Sequence, residues 1–345
     1  MKPFNSGSDA GQGELALLKE IRARSHHASR GGLRLGIGDD CALLAPRRGE
    51  EIAVTTDLSI AGRHFRMDWH QPEAVGHRTL ARGLSDLAAM GARPMAAFLS
   101  LGLPRELTAA AGTRTQTRSW VQRFLDGLLA LAVSHKVPLA GGDLAESPIA
   151  VADIVLVGAV PQGRALLRSG ARDGDMLYVT GALGGAAAGL ARLAELASTA
   201  NLTPPRIPKG LAANLAPHLY PEPRITQGLW LQRRGLATAA LDISDGLSTD
   251  LAHLCEESGI TAEVDTARLP IHPASTLDQA LHGGEDYELL FTASAVARLP
   301  RVLAGVSITK IGRIGKPRKG QPAIALFTEQ GSQPLKPCGW EHFHN

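Results

Sequence analysis

Short apolar runs that end in aspartate recur along this chain, and each fixes a carboxylate at the end of an extended segment. "GIGDDCALLAP" at residues 36–46 sets Asp39 and Asp40 side by side after one such run. "EIAVTTD" ends at Asp57, "VPLAGGD" at Asp143 and "ATAALD" at Asp242, with Ser244 and Asp245 entering the helix that follows. Asp86 stands apart, inside the amphipathic helical pattern of "EAVGHRTLARGLSDLAAMGA". Strand ends on one edge of a sheet converge, so this patterning gathers several carboxylates around one cavity. Like charges held that close disfavour each other's ionised form unless cations or water compensate.

The order of elements sets the fold class. "LRLGIGDDCALLAP" and "EIAVTTDLSIAG" read as neighbouring strands, and residues 73–92 as a helix. "PMAAFLSLGLP" follows as a strand, "TRSWVQRFLDGLLALAVSHK" as a long helix, and "VPLAGGD" and "IAVADIVLVGAV" as two more strands. That order predicts an α+β fold, with helices on one face of a largely antiparallel sheet. Gly83, interior to the first helix, costs about 1 kcal/mol relative to alanine and points to close packing. A chain of 345 residues favours two domains, and the stretch "PQGRA" suggests a boundary that leaves an N-terminal domain over 1–162 and a C-terminal domain over 163–345. In the second, "DMLYVTG" reads as a strand and "GAAAGLARLAELAS" as a helix, before a proline-rich connector with broken helices. The helix "STDLAHLCEESG" closes at Gly259, and "EDYELLFTAS", "VSITKIGRIG" and "AIALFTEQ" read as strands.

Composition narrows the partners. Hydrophobic residues at 44% supply a full core, and a formal charge of +3 with scattered basic residues argues against a nucleic-acid partner. No apolar run approaches the roughly 20 residues a membrane span needs, and the N-terminus lacks a secretory pattern. Cys41, Cys255 and Cys338 have no metal-site spacing, so they read as reduced thiols in a cytoplasmic protein.

Carboxylates joined by the hydroxyls of Thr55, Thr56 and Ser244 form a hard, all-oxygen donor set, the kind magnesium takes with water and substrate phosphates. Taken singly, each aspartate reads equally as a turn residue or a helix cap, and Asp86 as an i−4 partner of Arg82. No GxxxxGK[S/T] loop is present: "GRIGKP" carries proline where the hydroxyl residue belongs. "VTGALGGAAAG" lacks the dinucleotide spacing, so its small residues serve either helix packing or a phosphate contact.

The ordered set "GIGDDCALL", "TTDLSIAGRHF", "LSDLAAMGARP", "LAGGD", "GRALLRSGARDGD", "LDISDGLSTDL" and "GGEDYELLFT" resembles the thiamine-monophosphate kinase family, of the aminoimidazole ribonucleotide synthetase-like ATP-binding superfamily. The likeness runs from about residue 14 to the "GWEHF" near the C-terminus. The GDD, SDLAAMG and GGD elements are shared across the superfamily, whereas "TTD" with "AGRHF", "DISDGL" and "GGEDYEL" are more specific. The resemblance implies phosphorylation of thiamine monophosphate by ATP, with no protein nucleophile or general base. It implies that Asp40, Thr55, Thr56, Asp57, Asp86, Asp143, Asp242 and Asp245 hold several magnesium ions. Gly142, Asp143, Arg168 and Ser244 would then meet ATP, and His64, Glu285 and Trp340 would meet thiamine monophosphate. It further implies a homodimer formed through the N-terminal domain, and a C-terminal α/β sandwich completing the site.

On the residues alone, His64 reads as a histidine packed beside Phe65, Glu285 and Asp286 as turn charges, and Trp340 as a hydrophobic latch. Leu144 and the "LSI" after Asp57 depart from the family pattern without removing a carboxylate. Asp39 reads as the residue that shapes the turn. Two alternatives stand beside this reading: another ATP-using enzyme of the superfamily, and a catalytically silent nucleotide-binding scaffold.

Overall fold

The computed structural model describes residues 14–25, 32–109, 118–200 and 203–340; Glu341, His342 and Phe343 of the "GWEHF" match lie outside the described residues. Helix α1 (Glu14–Ser25) precedes a small antiparallel pair, β1 (Leu33–Leu35) and β2 (Leu43–Leu44). Then come β3 (Glu50–Ile60), α2 (Pro72–Ala89), β4 (Arg93–Leu103), α3 (Trp120–Ser134), β5 (Leu139–Glu146) and β6 (Val151–Pro161). These strands form a four-stranded sheet in the order β3-β6-β4-β5. Sequence patterning predicts a largely antiparallel sheet, yet β4 and β5 run parallel, with Ser100 opposite Asp143. The reason is α3, which supplies the crossover that parallel neighbours require.

Helix α3 begins where Ser119 and Gln122 cap each other's backbone amides. Its buried face, Val121, Phe124, Leu125 and Leu128, repeats at helical spacing. Helices α2 and α3 meet through backbone: a Cβ on Gly76 would lie 1.9 Å from the Phe124 carbonyl oxygen. The close packing expected at Gly83 is present too, since a Cβ there would lie 2.7 Å from Leu156.

The second half builds β7 (Met176–Thr180), α4 (Gly185–Thr199), α5 (Ala212–Leu219), α6 (Ile225–Arg234), β8 (Ala237–Asp242), α7 (Leu247–Ser258) and β9 (Thr261–Asp265). It continues with α8 (Leu277–His282), β10 (Leu289–Ala293), β11 (Val302–Leu303), β12 (Val306–Gly315), β13 (Ile324–Thr328) and β14 (Gly331–Pro334). The sheet runs β14-β13-β9-β12-β7-β10-β8, with β11 hydrogen-bonded to β12. Its pairs are antiparallel except β13 with β9. Leu247, Leu251 and Leu254 of α7 share a core with Leu177, Val179, Leu241 and Leu290 of the sheet. Gly259, at φ 62°, ends α7 as expected.

Helices α6 and α8 and strand β9 lie where sequence pattern alone assigns no element. The strand expected from Glu285 starts only at Leu289, because Glu285 and Tyr287 have φ of 67° and 51°, outside the pleated range.

The chain divides into two compact units. One takes the described residues of Met1–Arg47, Val54–Gly83 and Pro94–Val157; the other takes Arg48–Ala53, Leu84–Arg93 and Gly158–Asn345. Among the described residues no helix is long and apolar enough to cross a membrane.

Leu251 is fully buried in the α7 core. Leu251→Ala should therefore cost about 2–5 kcal/mol, seen as a lower midpoint in urea unfolding with little change in slope.

Candidate active site

In the first unit, the β1–β2 connection carries the two adjacent aspartates. Asp39 Oδ1 accepts the backbone N–H of Asp40 at 3.0 Å, so Asp39 shapes the turn while the Asp40 side chain stands exposed. The Arg22 guanidinium of α1 packs onto Gly38, within 2.4 Å of where a Cβ would sit. That places a cation against the backbone of the turn that carries the two aspartates, which nothing in the sequence pattern signals.

On β3, Thr55 and Asp57 lie on the less exposed side and Thr56 on the other. Asp57 Oδ1 lies 3.5 Å from Nε of Arg82, so the arginine one turn before Asp86 forms an ion pair with Asp57. On β5, Gly142 has φ 147°, and a Cβ there would lie 1.8 Å from the Leu99 carbonyl oxygen, so only glycine fits. Next to it, Asp143 is exposed, and its Oδ1 accepts the N–H of Leu144 at 2.9 Å.

His64 sits in the turn that follows β3. Its Nδ1 accepts the N–H of Ile60 at 3.1 Å, which leaves the ring proton on Nε2. A small cleft is lined by Ser59, His64, Phe65, Val75, Arg78, Thr79 and Arg82. Phe65 is buried and stacks with Trp120 at 6.4 Å, while its neighbour His64 opens onto the cleft.

The second unit gathers its predicted residues around the turn after β8. Asp242 is 4% exposed, and its Oδ2 accepts Ser85 Oγ at 2.7 Å, tying the segment that carries Asp86 to the end of β8. Glu285 N–H donates to the Ser244 carbonyl at 2.7 Å, and Tyr287 N–H to that of Ile243 at 2.9 Å. Trp340 N–H donates to the Asp245 carbonyl at 3.1 Å, and Gly339 N–H to Thr249 Oγ1 at 3.0 Å. Ser244, Asp245, Glu285 and Trp340 are thereby held together, with the Trp340 side chain half exposed.

Asp250 underlies this arrangement. Its Oδ2 accepts the N–H groups of Asp245 and Gly246, both at 3.0 Å. Burial, reinforced by the nearby Asp245 charge, pushes its carboxyl up to about 7. Sequence reading misses Asp250 because an acidic residue in a first helical turn is ordinary. It misses His218 as well, whose Nδ1 lies 3.5 Å from Glu285 Oε2.

The turn-charge reading of Asp286 is also corrected. Its carboxylate accepts the N–H groups of Gly184 at 2.6 Å and Ala186 at 3.1 Å, at the N-terminus of α4, and burial pushes it up to about 7. A carboxylate thus occupies the amides that "VTGALGGAAAG" offered for a phosphate. Arg168 is exposed on a segment running along β8, where its carbonyl accepts Ser258 Oγ at 2.6 Å. Its guanidinium forms no ion pair among the described residues, so the structure does not join it to Ser244.

The donor set fits magnesium in chemistry: the predicted ligands are carboxylates and hydroxyls, with no imidazole or thiolate. Among the described residues, no three His, Cys, Asp or Glu side chains form a ready metal cage.

His70, 2% exposed, provides the clearest pH linkage. Burial, with the charge of Arg78 next, lowers it from 6.5 to about 3. Between those values the unfolded chain binds the proton and the folded one does not. Stability is therefore full above pH 6.5 and falls as pH drops toward 3. His70→Asn should remove up to about 1.4 kcal/mol per pH unit from that slope, read by chemical unfolding at several pH values.

Comparison with known proteins gives a consistent picture. The description "AIR synthase related protein, N-terminal domain" matches residues 38–161, and the corresponding C-terminal domain matches 172–322. The thiamine-monophosphate kinase of Escherichia coli K12 is 39% identical over 315 residues, 88% of either chain. A crystal structure of the thiamine-monophosphate kinase of Stenotrophomonas maltophilia K279a superposes with a TM-score of 0.75 at 38% identity, covering 91% of this chain and 96% of that one. AaThiL complexed with AMPPCP and TMP superposes at 0.71 with 28% identity, covering 96% and 97%.

Proposed function

Since the chain belongs to the thiamine-monophosphate kinase family, with both AIR synthase related domains, we propose how its own residues serve the reaction of that family. The protein transfers the γ-phosphoryl group of ATP to thiamine monophosphate, giving ADP and thiamine diphosphate. The observation that carries this is the 39% identity over 88% of the chain.

A phosphate oxygen of thiamine monophosphate attacks the γ-phosphorus as the bond to the ADP oxygen breaks. The second pKa of a phosphate monoester is near 6, so the attacking oxygen is largely ionised and needs no general base. Bringing two anions together is the difficulty. Asp40, Thr55, Thr56, Asp57, Asp86, Asp143, Asp242 and Asp245 hold magnesium, which when bound offsets that repulsion and aligns the phosphates. This reading is supported by the all-oxygen donor set and by the exposure of Asp40 and Asp143.

Gly142, Asp143 and Ser244 meet ATP, and Arg168 turns its exposed guanidinium to the nucleotide when it binds. His64 offers Nε2–H to thiamine monophosphate, Glu285 contacts it, and Trp340 stacks on the cationic thiazolium ring. The half-exposed indole and the backbone bonds that tether it support that role. ATP as co-substrate agrees with the cytoplasmic location read from the sequence.

The same reading includes the domain roles and the homodimer. The N-terminal domain, 1–162, carries much of the metal and ATP site and the dimer face; 163–345 completes it. The dimer is supported by β3, the edge of its sheet, where Ile52, Val54 and Leu58 are 43%, 61% and 45% exposed on one face. A row of exposed apolar side chains on an edge strand invites a partner.

Asp40→Asn, Asp57→Asn, Asp86→Asn and Asp143→Asn should each lower ADP release by at least about 100-fold without unfolding the protein. The assay compares thiamine monophosphate, thiamine and no acceptor, and only the first should support turnover; full activity in all four variants would remove the metal assignment. Val54→Asp should shift the sedimentation coefficient from dimer to monomer, and an unchanged coefficient would exclude this face.

A further inference from the structure

Arg78 of α2 is 5% exposed, and its guanidinium is committed to the loop that carries His64. Nη2 donates to the His64 carbonyl at 3.2 Å, and Nη1 lies 3.1 Å from Nε2 of His70. A guanidinium can only donate, so Nε2 of His70 accepts. Nδ1 on the other side of the ring faces the Arg66 backbone, 3.1 Å from its N–H and 3.2 Å from its carbonyl oxygen. Two ends of one loop are therefore tied to a single planar fork on a helix.

The backbone N–H groups of both histidines bond locally. His64 N–H donates to the Ile60 carbonyl at 2.9 Å, and His70 N–H to that of Arg66 at 2.9 Å. Because the His64 ring is pinned to Ile60 through Nδ1, its Nε2–H points where the loop points. Burying a guanidinium is expensive unless its donors are satisfied, and an apolar side chain of similar volume fills such a space at lower cost. A buried charge kept here is better explained by direction than by stability.

We propose that Arg78 is a positioning residue for thiamine monophosphate: through His70 and the His64 carbonyl it fixes the loop that aims the His64 Nε2–H at the substrate. The proposal rests on His64 contacting that substrate, as assigned above. It adds a selectivity role to a residue that acts through another, and it predicts an effect confined to one of the two substrates.

The test is steady-state kinetics on the full-length protein for His64→Ala, Arg78→Met, Arg78→Lys and the double variant His64→Ala/Arg78→Met. Arg78→Met should raise the KM for thiamine monophosphate roughly tenfold, the size expected for losing hydrogen bonds from a charged donor. The KM for ATP should stay within about twofold by the same reasoning, and Arg78→Lys should recover part of the loss. The double variant should be no worse than His64→Ala alone, because Arg78 acts only through that residue.

Equal rises in both KM values, or effects that add in full in the double variant, overturn the proposal. An unchanged KM in Arg78→Met does the same. If His64→Ala itself leaves the KM for thiamine monophosphate unchanged, the His64 assignment fails first and the positioning role fails with it. Thermal unfolding checks each variant, and where Arg78→Met does not fold, His70→Leu severs the same fork from its other side and is read identically.

Discussion

Two hydrogen bonds from one buried carboxylate organise the second unit. Asp250 gathers the amides of Asp245 and Gly246, and this fixes which way the carbonyls of Ser244 and Asp245 face. Those carbonyls then receive Glu285 from one segment and Trp340 from another. Segments far apart in sequence are placed by main-chain contacts to a single turn. The cost is a carboxyl pushed up to about 7 by burial, in part because Asp245 carries like charge nearby. A site that must concentrate negative charge begins here with a carboxylate held by amides rather than by a cation.

The first unit meets the same constraint differently. Arg82 lies beside Asp57, and Arg22 lies against the Gly38 backbone of the aspartate turn. The pair Asp39 and Asp40 is divided by geometry: one oxygen of Asp39 is committed to its neighbour's amide, whereas Asp40 faces outward. Gly142 shows how tightly β5 is built against β4, since any side chain there would collide with the Leu99 carbonyl.

Much of this was legible in the sequence, and the reasons are physical. Apolar runs leading into aspartate report strands, and Asp57, Asp143 and Asp242 all lie on strands, but only Asp242 ends one: β3 runs on to Ile60 and β5 to Glu146, because polar residues continue the extended backbone past the carboxylate. Gly83 declared close packing because glycine inside a helix needs a reason. What escaped were residues whose role lies in distant partners: Asp250, His218, Asp286 and Arg78 look like ordinary helix or turn residues until the chain folds. The parallel pairing of β4 with β5 depended on where α3 returns the chain, and the late start of β10 on left-handed backbone at Glu285 and Tyr287; periodicity encodes neither. Arg168 was readable as a motif residue, and its exposed guanidinium forms no ion pair among the described residues.

The C-terminal segment illustrates a separation of duties. Cys338, Gly339 and Trp340 are fastened to α7 and its preceding turn through their N–H groups, bonds that any residue but proline can make. Gly339 is fixed, because a Cβ would lie 2.0 Å from the Asp245 carbonyl oxygen. The tail's course is therefore written in main-chain bonds to α7 and its turn, and these bonds are the same whichever side chain stands at position 340.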